Sequence, residues 1–217
     1  MTQAWTQAWN VFERGGPLMW PLLALALLAA VLLIERALFF LLLNRPARLR
    51  GNRQLTAILR TQPQNTALKA AANTPGLYGR VAHALASEPQ VTPSLASQIT
   101  DDARPAVERF MPTLSTIITA APLLGILGTV LGIIQSFNVI SAQQTRIDLN
   151  ALAGGIAEAL ITTGAGLAIA LLTVFPYNAL RTQVDRSLSR IETLAEAAAG
   201  DPKAHHGDTE STEAEEV

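Results

Sequence analysis

Ala121-Pro122-Leu123-Leu124-Gly125-Ile126-Leu127-Gly128-Thr129-Val130-Leu131-Gly132-Ile133, followed closely by Ser136-Phe137, lies inside a stretch from Phe110 to Thr145 that carries no charged side chain. A helix that crosses a bilayer needs roughly 20 mostly apolar residues. This stretch exceeds that, and the excess must tilt or project into water. Within it, Gly125, Thr129, Gly132 and Ser136 are spaced four, three and four residues apart. At ~100° per residue they gather within roughly 60° of one helix face. One narrow stripe of an otherwise greasy helix is therefore small and hydroxylic.

A second long stretch, Leu149 to Leu180, repeats the device. Gly155, Glu158, Thr162, Gly166 and Thr173 share one broad face, Thr163 stands at its margin, and Glu158 is the one charged residue. A third apolar stretch, Pro17 to Leu43, is interrupted only by Glu35 and Arg36. Its uninterrupted run Pro17–Ile34 is longer than a signal-peptide core, and no basic segment precedes it, so it reads as a retained span. Composition agrees: 15% of the 217 residues are charged, against about 25% in soluble domains. Zero cysteines exclude disulfides and thiolate metal sites, and a net charge of −1 gives no bias toward nucleic acid.

The expected fold is an all-α integral membrane protein with three transmembrane helices and long cytoplasmic helical extensions. Positive charge is retained on the cytoplasmic side. The segment Asn44–Pro112 holds nine basic and four acidic residues, Ser141–Asn150 has only Arg146 and Asp148, and Arg181, Arg186 and Arg190 follow the third span. This predicts a periplasmic amphipathic segment 1–16 and spans at 17–43, 113–140 and 152–179. Residues 44–112 would be cytoplasmic and helical, 141–151 a periplasmic loop, 180–199 a cytoplasmic helix, and 200–217 a disordered acidic tail. The repeat Thr2-Gln3-Ala4-Trp5, Thr6-Gln7-Ala8-Trp9 puts Trp5, Trp9 and Phe12 on one side, suited to anchoring at the interface. Pro63, Pro75-Gly76, Pro89 and Pro93 predict a cytoplasmic region of short helices. Leu180, Val184, Leu188, Ile191 and Leu194 predict that the last helix continues amphipathically beyond the membrane.

Gly125, Gly128, Gly132 and Gly166 are suited to close helix packing. Small residues do not explain the hydroxyls or the carboxylate, because an ionisable group within a span is costly and usually faces an interior or aqueous cavity. Thr129 and Thr163 each lie about 15 Å below the short loop, forming one polar level, with Glu158 about 8 Å deep. A threonine hydroxyl donates and accepts hydrogen bonds but holds no charge near neutral pH. The candidate proton pathway is therefore Thr129, Thr163, Glu158, Thr162 and Ser136, and a central titrating group is expected from a partner subunit. No nucleophile-base constellation or phosphate loop suggests an enzyme, His205-His206 offers only a weak metal prospect, and no cofactor is expected.

The Ala121–Phe137 residues resemble the second-helix signature of the ExbB/TolQ/MotA proton-channel family. Gly155-Ile156-Ala157-Glu158-Ala159-Leu160-Ile161-Thr162-Thr163 through Pro176-Tyr177-Asn178 resembles its third-helix signature. MotA-like stators have four spans, so three spans point to the ExbB/TolQ branch, and the Gly15-Gly16-Pro17 opening and Ile34-Glu35-Arg36 look ExbB-like. Gly164 departs from the pattern, which has alanine more often there. The resemblance implies a homopentamer in the bacterial inner membrane around a single-span partner dimer of the ExbD/TolR type, each copy bringing a membrane aspartate. Inward proton flow would turn the dimer and pass force to an envelope protein of the TonB or TolA kind. Thr129 and Thr163 would line the pore, with Glu158 toward the periplasm. Read without the resemblance, the residues also fit a non-conducting scaffold or a self-contained channel.

Overall fold

A computed structural model describes residues 2–43, 46–142 and 149–199. The acidic tail with His205-His206, and Arg146 and Asp148 of the short loop, lie outside the described residues. Among those described, eight helices and no strand occur: α1 Thr2–Arg14, α2 Met19–Leu43, α3 Pro46–Thr61, α4 Gln64–Ala72, α5 Leu77–Ser87, α6 Pro93–Glu108, α7 Met111–Ala142 and α8 Leu149–Ala199. Three of them are long and apolar enough to cross a membrane, over Met19–Leu43, Met111–Asn138 and Leu152–Ala199. The protein is all-α, with three candidate spans.

Helix boundaries follow backbone chemistry. Pro63 precedes α4, and Gly76, at φ 104°, precedes α5. Thr92 accepts the Leu95 N–H at 3.3 Å in front of α6, with Pro93 in its first turn, where a missing N–H is harmless. Pro122 and Pro176, by contrast, lie inside α7 and α8. The last helix begins at Leu149, within the expected loop, and continues for 51 residues, about 75 Å at 1.5 Å per residue. It thus runs well past a hydrocarbon core of about 30 Å.

The chain divides into two units, one from the described residues of 1–37 and 110–181, the other from those of 38–109 and 182–199. In the second unit, α3, α4, α5 and α6 pack together and bury Leu55, Ala71, Tyr78, Leu85 and Val107. Val184, Leu188, Ile191 and Leu194 of α8 are also buried. In the first unit, Met19, Leu22 and Ala121 form a buried cluster against Phe12, Leu25, Leu124, Ala165 and Ile169. Phe12 also stands edge-on to Trp20 and stacks with Trp9, whose Nε1 donates to Glu13 at 2.6 Å.

Burial of charge marks the far end of this unit. Arg36 is only 2% exposed and makes a bidentate pair with Glu35, at 2.6 and 2.9 Å. Its guanidinium lies 5.4 Å from the ring centroid of Phe110, within cation–π range. Phe110 precedes α7 and holds φ at 65°, a conformation bulky residues rarely adopt. Removing one partner of a buried pair is costly because the other charge keeps its desolvation penalty. Glu35 is itself 41% exposed, which softens that cost, so Glu35→Gln should destabilise the subunit by about 1 kcal/mol, and adding Arg36→Met should recover part of the loss. Thermal unfolding in detergent checks this; a double variant no more stable than Glu35→Gln contradicts it.

Candidate functional site

Glycine determines how α7 and α8 meet. A Cβ placed on Gly166 would stand 2.5 Å from the Ala121 carbonyl oxygen, and one on Gly125 would stand 3.0 Å from Thr163 Cα. On Gly128 it would meet Thr162 Cγ2 at 2.5 Å, and on Gly132 the Ala159 Cβ at 2.8 Å. On Gly155 it would overlap the Ser136 hydroxyl. These contacts advance along α7 as they retreat along α8, so the helices are antiparallel and approach backbone to backbone. Such proximity, available only to small residues, brings side-chain hydroxyls within reach of main-chain carbonyls.

The hydroxyls use that reach in different ways. Thr163 donates across the interface to the Gly125 carbonyl at 2.7 Å. In an α-helix that carbonyl also accepts the Thr129 amide, so Thr163 meets α7 at the turn Thr129 closes. The Thr129 hydroxyl donates at 2.6 Å to Ile126 in its own helix. The expected polar level is therefore joined through a peptide carbonyl, with no direct hydroxyl-to-hydroxyl bond. Both side chains are half-buried.

Thr162 and Ser136 are packed inside the unit at 2% and 3% exposure. Ser136 donates to the Gly132 carbonyl at 2.8 Å. Thr162 shares its proton between the Glu158 carbonyl at 2.9 Å and the Gly15 carbonyl at 2.8 Å. Their place inside the subunit follows from the close helix approach, which leaves no gap for a lumen between α7 and α8 of one chain. Glu158 lies one turn before Thr162 and is half-buried; among the described residues its carboxylate makes no hydrogen bond or ion pair. Sequence reasoning missed Gly15 and Gly16 as neighbours of this carboxylate; the signal was a Gly-Gly-Pro turn directly before an apolar span.

Chemically, the arrangement offers one carboxylate able to exchange a proton and, further along α8, hydroxyl and carbonyl groups able to hold a water or a passing acid. No second carboxylate stands on α7 or on the apolar body of α8. The MotA/TolQ/ExbB proton channel family matches residues 60–193, more than half of the chain. The chain is 36% identical over 187 residues to the biopolymer transport protein ExbB-like 3 of Synechocystis sp., covering 82% of this chain and 87% of that protein. It is 34% identical over 190 residues to biopolymer transport protein exbB1 of Vibrio cholerae, covering 83% and 82%. Similarity to the Tol-Pal system protein TolQ of Pseudomonas aeruginosa is 37% over 90 residues, 42% of this chain and 38% of that one. With three apolar helices, a glycine-packed hairpin and these relatives, the chain belongs to the MotA/TolQ/ExbB proton channel family.

Proposed function

We propose that this protein is the wall subunit of a proton-driven motor in the bacterial inner membrane. Its amino terminus is periplasmic, its carboxyl terminus is cytoplasmic, and five copies surround a single-span partner dimer of the ExbD/TolR type. Thr129 and Thr163 face the partner's membrane carboxylate, Glu158 takes protons on the periplasmic side, and Thr162 and Ser136 hold the wall in shape. The motor energises TonB-dependent transport across the outer membrane. The observation that carries this reading is the pairing of Glu158, the one carboxylate in the apolar stretches of the α7–α8 hairpin, with the Thr163–Gly125 contact: a path with a proton acceptor at one end and polar groups, but no acid, in the middle. Such a wall needs a second chain to complete it.

The relatives matched over most of their length carry ExbB-type names, with 82% of exbB1 and 87% of ExbB-like 3 covered, which supports the ExbB branch. A Tol-type role is the second reading. The test is co-expression with a single-span partner carrying a membrane aspartate, in cells lacking their own ExbB and TolQ proteins. Uptake of a ferric chelate that requires the proton motive force should be restored and should collapse on adding a protonophore. Glu158→Gln should lower it by about tenfold or more, equivalent to about 1.4 kcal/mol of barrier. Restoration of envelope integrity without uptake selects the Tol-type role; full uptake by Glu158→Gln refutes the proton-acceptor assignment.

A further inference from the structure

Gly15 and Gly16 join α1 to α2, and both touch α8. The Gly15 carbonyl accepts the Thr162 hydroxyl at 2.8 Å, a contact between residues 147 positions apart in the chain. A Cβ on Gly15 would lie 3.2 Å from Ile161 Cγ2. Gly16 holds φ at 68°, and a Cβ there would overlap Oε1 of Glu158 and stand 3.2 Å from its Cγ. Residues 15 and 16 thus cover 158, 161 and 162, one face of one turn of α8. Gly16 is therefore constrained twice: by a backbone conformation that L side chains rarely adopt and by a carboxylate lying where a side chain would be.

We infer that the Gly15–Gly16 turn is the seat of the Glu158 carboxylate, a positioning element that fixes which way the acid points and closes it on the α1 side. This inference rests on the proposed proton path for its functional meaning, though not for its geometry. Thr162 anchors the turn by hydrogen-bonding the Gly15 carbonyl, and the absent side chain at Gly16 lets the carboxylate lie against the main chain. The carboxylate then opens only toward the side the turn leaves free. Charged groups near this seat are few: Glu13, which accepts from Trp9, and Arg14 adjoin the turn along the chain, and α7 contributes none. Carboxylate orientation is therefore governed by packing more than by a paired cation.

The test separates the carboxylate contact from backbone strain. Gly16→Ala introduces both; Glu158→Asp retracts the carboxylate by one methylene, which eases the overlap and leaves the strain. Proton-motive-force-dependent uptake is measured against external pH in the assembled complex for Gly16→Ala, Glu158→Asp and the double variant, alongside membrane levels of each. Gly16→Ala should reduce uptake by about tenfold and move its pH profile, and the double variant should exceed Gly16→Ala severalfold. Effects that merely multiply, with an unmoved profile, overturn the positioning role.

A second arm reads the seat without activity. The chain has no cysteine, so Gly15→Cys with Ile161→Cys introduces a single pair, the new Cβ at 15 standing 3.2 Å from the γ-carbon that the sulfur at 161 replaces. Oxidation in native membranes should form an intramolecular cross-link; its absence overturns the seat itself. A cross-link together with normal uptake by Glu158→Gln would instead leave the seat standing and refute the proton path on which its functional meaning rests.

Discussion

A Thr163→Val subunit should reach the membrane at normal levels, assemble with its partner, and perform no measurable proton-motive-force-dependent work. Valine matches threonine in shape, and the lost group is one hydroxyl donating to the Gly125 carbonyl. That carbonyl keeps its helical amide partner, so the structural cost is about 1 kcal/mol, typical of a single hydrogen bond. The functional cost is larger if the hydroxyl marks where a partner's acid must be steadied. Threonine can serve either proton state of a carboxyl group, as donor to the ionised form and acceptor from the neutral form; valine serves neither. Uptake assays paired with co-purification of the partner check this, and retention of half the normal uptake would remove Thr163 from the path.

Gly166→Val should have the opposite profile, a loss of the folded subunit itself. The atoms in its way are the Ala121 carbonyl oxygen and the Gly125 main chain, neither of which can move without separating α7 from α8. Overpacking of this kind costs about 3 kcal/mol, a large share of a typical stability of about 5–15 kcal/mol. Gly164 lies two residues away, and beyond its chain neighbours and its own helix backbone no atom lies within 4 Å of a Cβ built there. Gly164→Ala should therefore be tolerated and should gain up to about 1 kcal/mol in helix propensity. Membrane levels and thermal stability in detergent separate the two variants. A damaging Gly164→Ala would place another chain against that position.

The three apolar helices and the proline-bounded short helices were legible in the sequence because they depend on local composition and backbone chemistry. The glycine stripe was legible as a periodicity, and the contacts of Gly125, Gly128, Gly132 and Gly166 give it a partner helix. Harder to read was the difference between Thr162 and Thr163. Adjacent residues differ by ~100° around a helix, and the sequence put both on or beside one broad face. Long-range contacts separate them: Thr162 turns to Gly15 and Thr163 to Gly125. No periodicity within α8 encodes a carbonyl 147 positions away. Arg36 was likewise visible only as a charge ending a span, whereas its burial beside Phe110 depends on how two helices meet.

Over its 32 residues, α7 presents no charged side chain at all. A carboxylate travelling past successive copies of such a wall would find nothing on α7 to attract or repel it strongly over distance. Its energy would vary chiefly where each copy offers the Thr163–Gly125 group. Under the proposed assembly, the wall would behave as a lubricated bearing with one shallow detent per subunit, and the angular step of anything turning inside it would be set by the number of copies, not by the length of the helices.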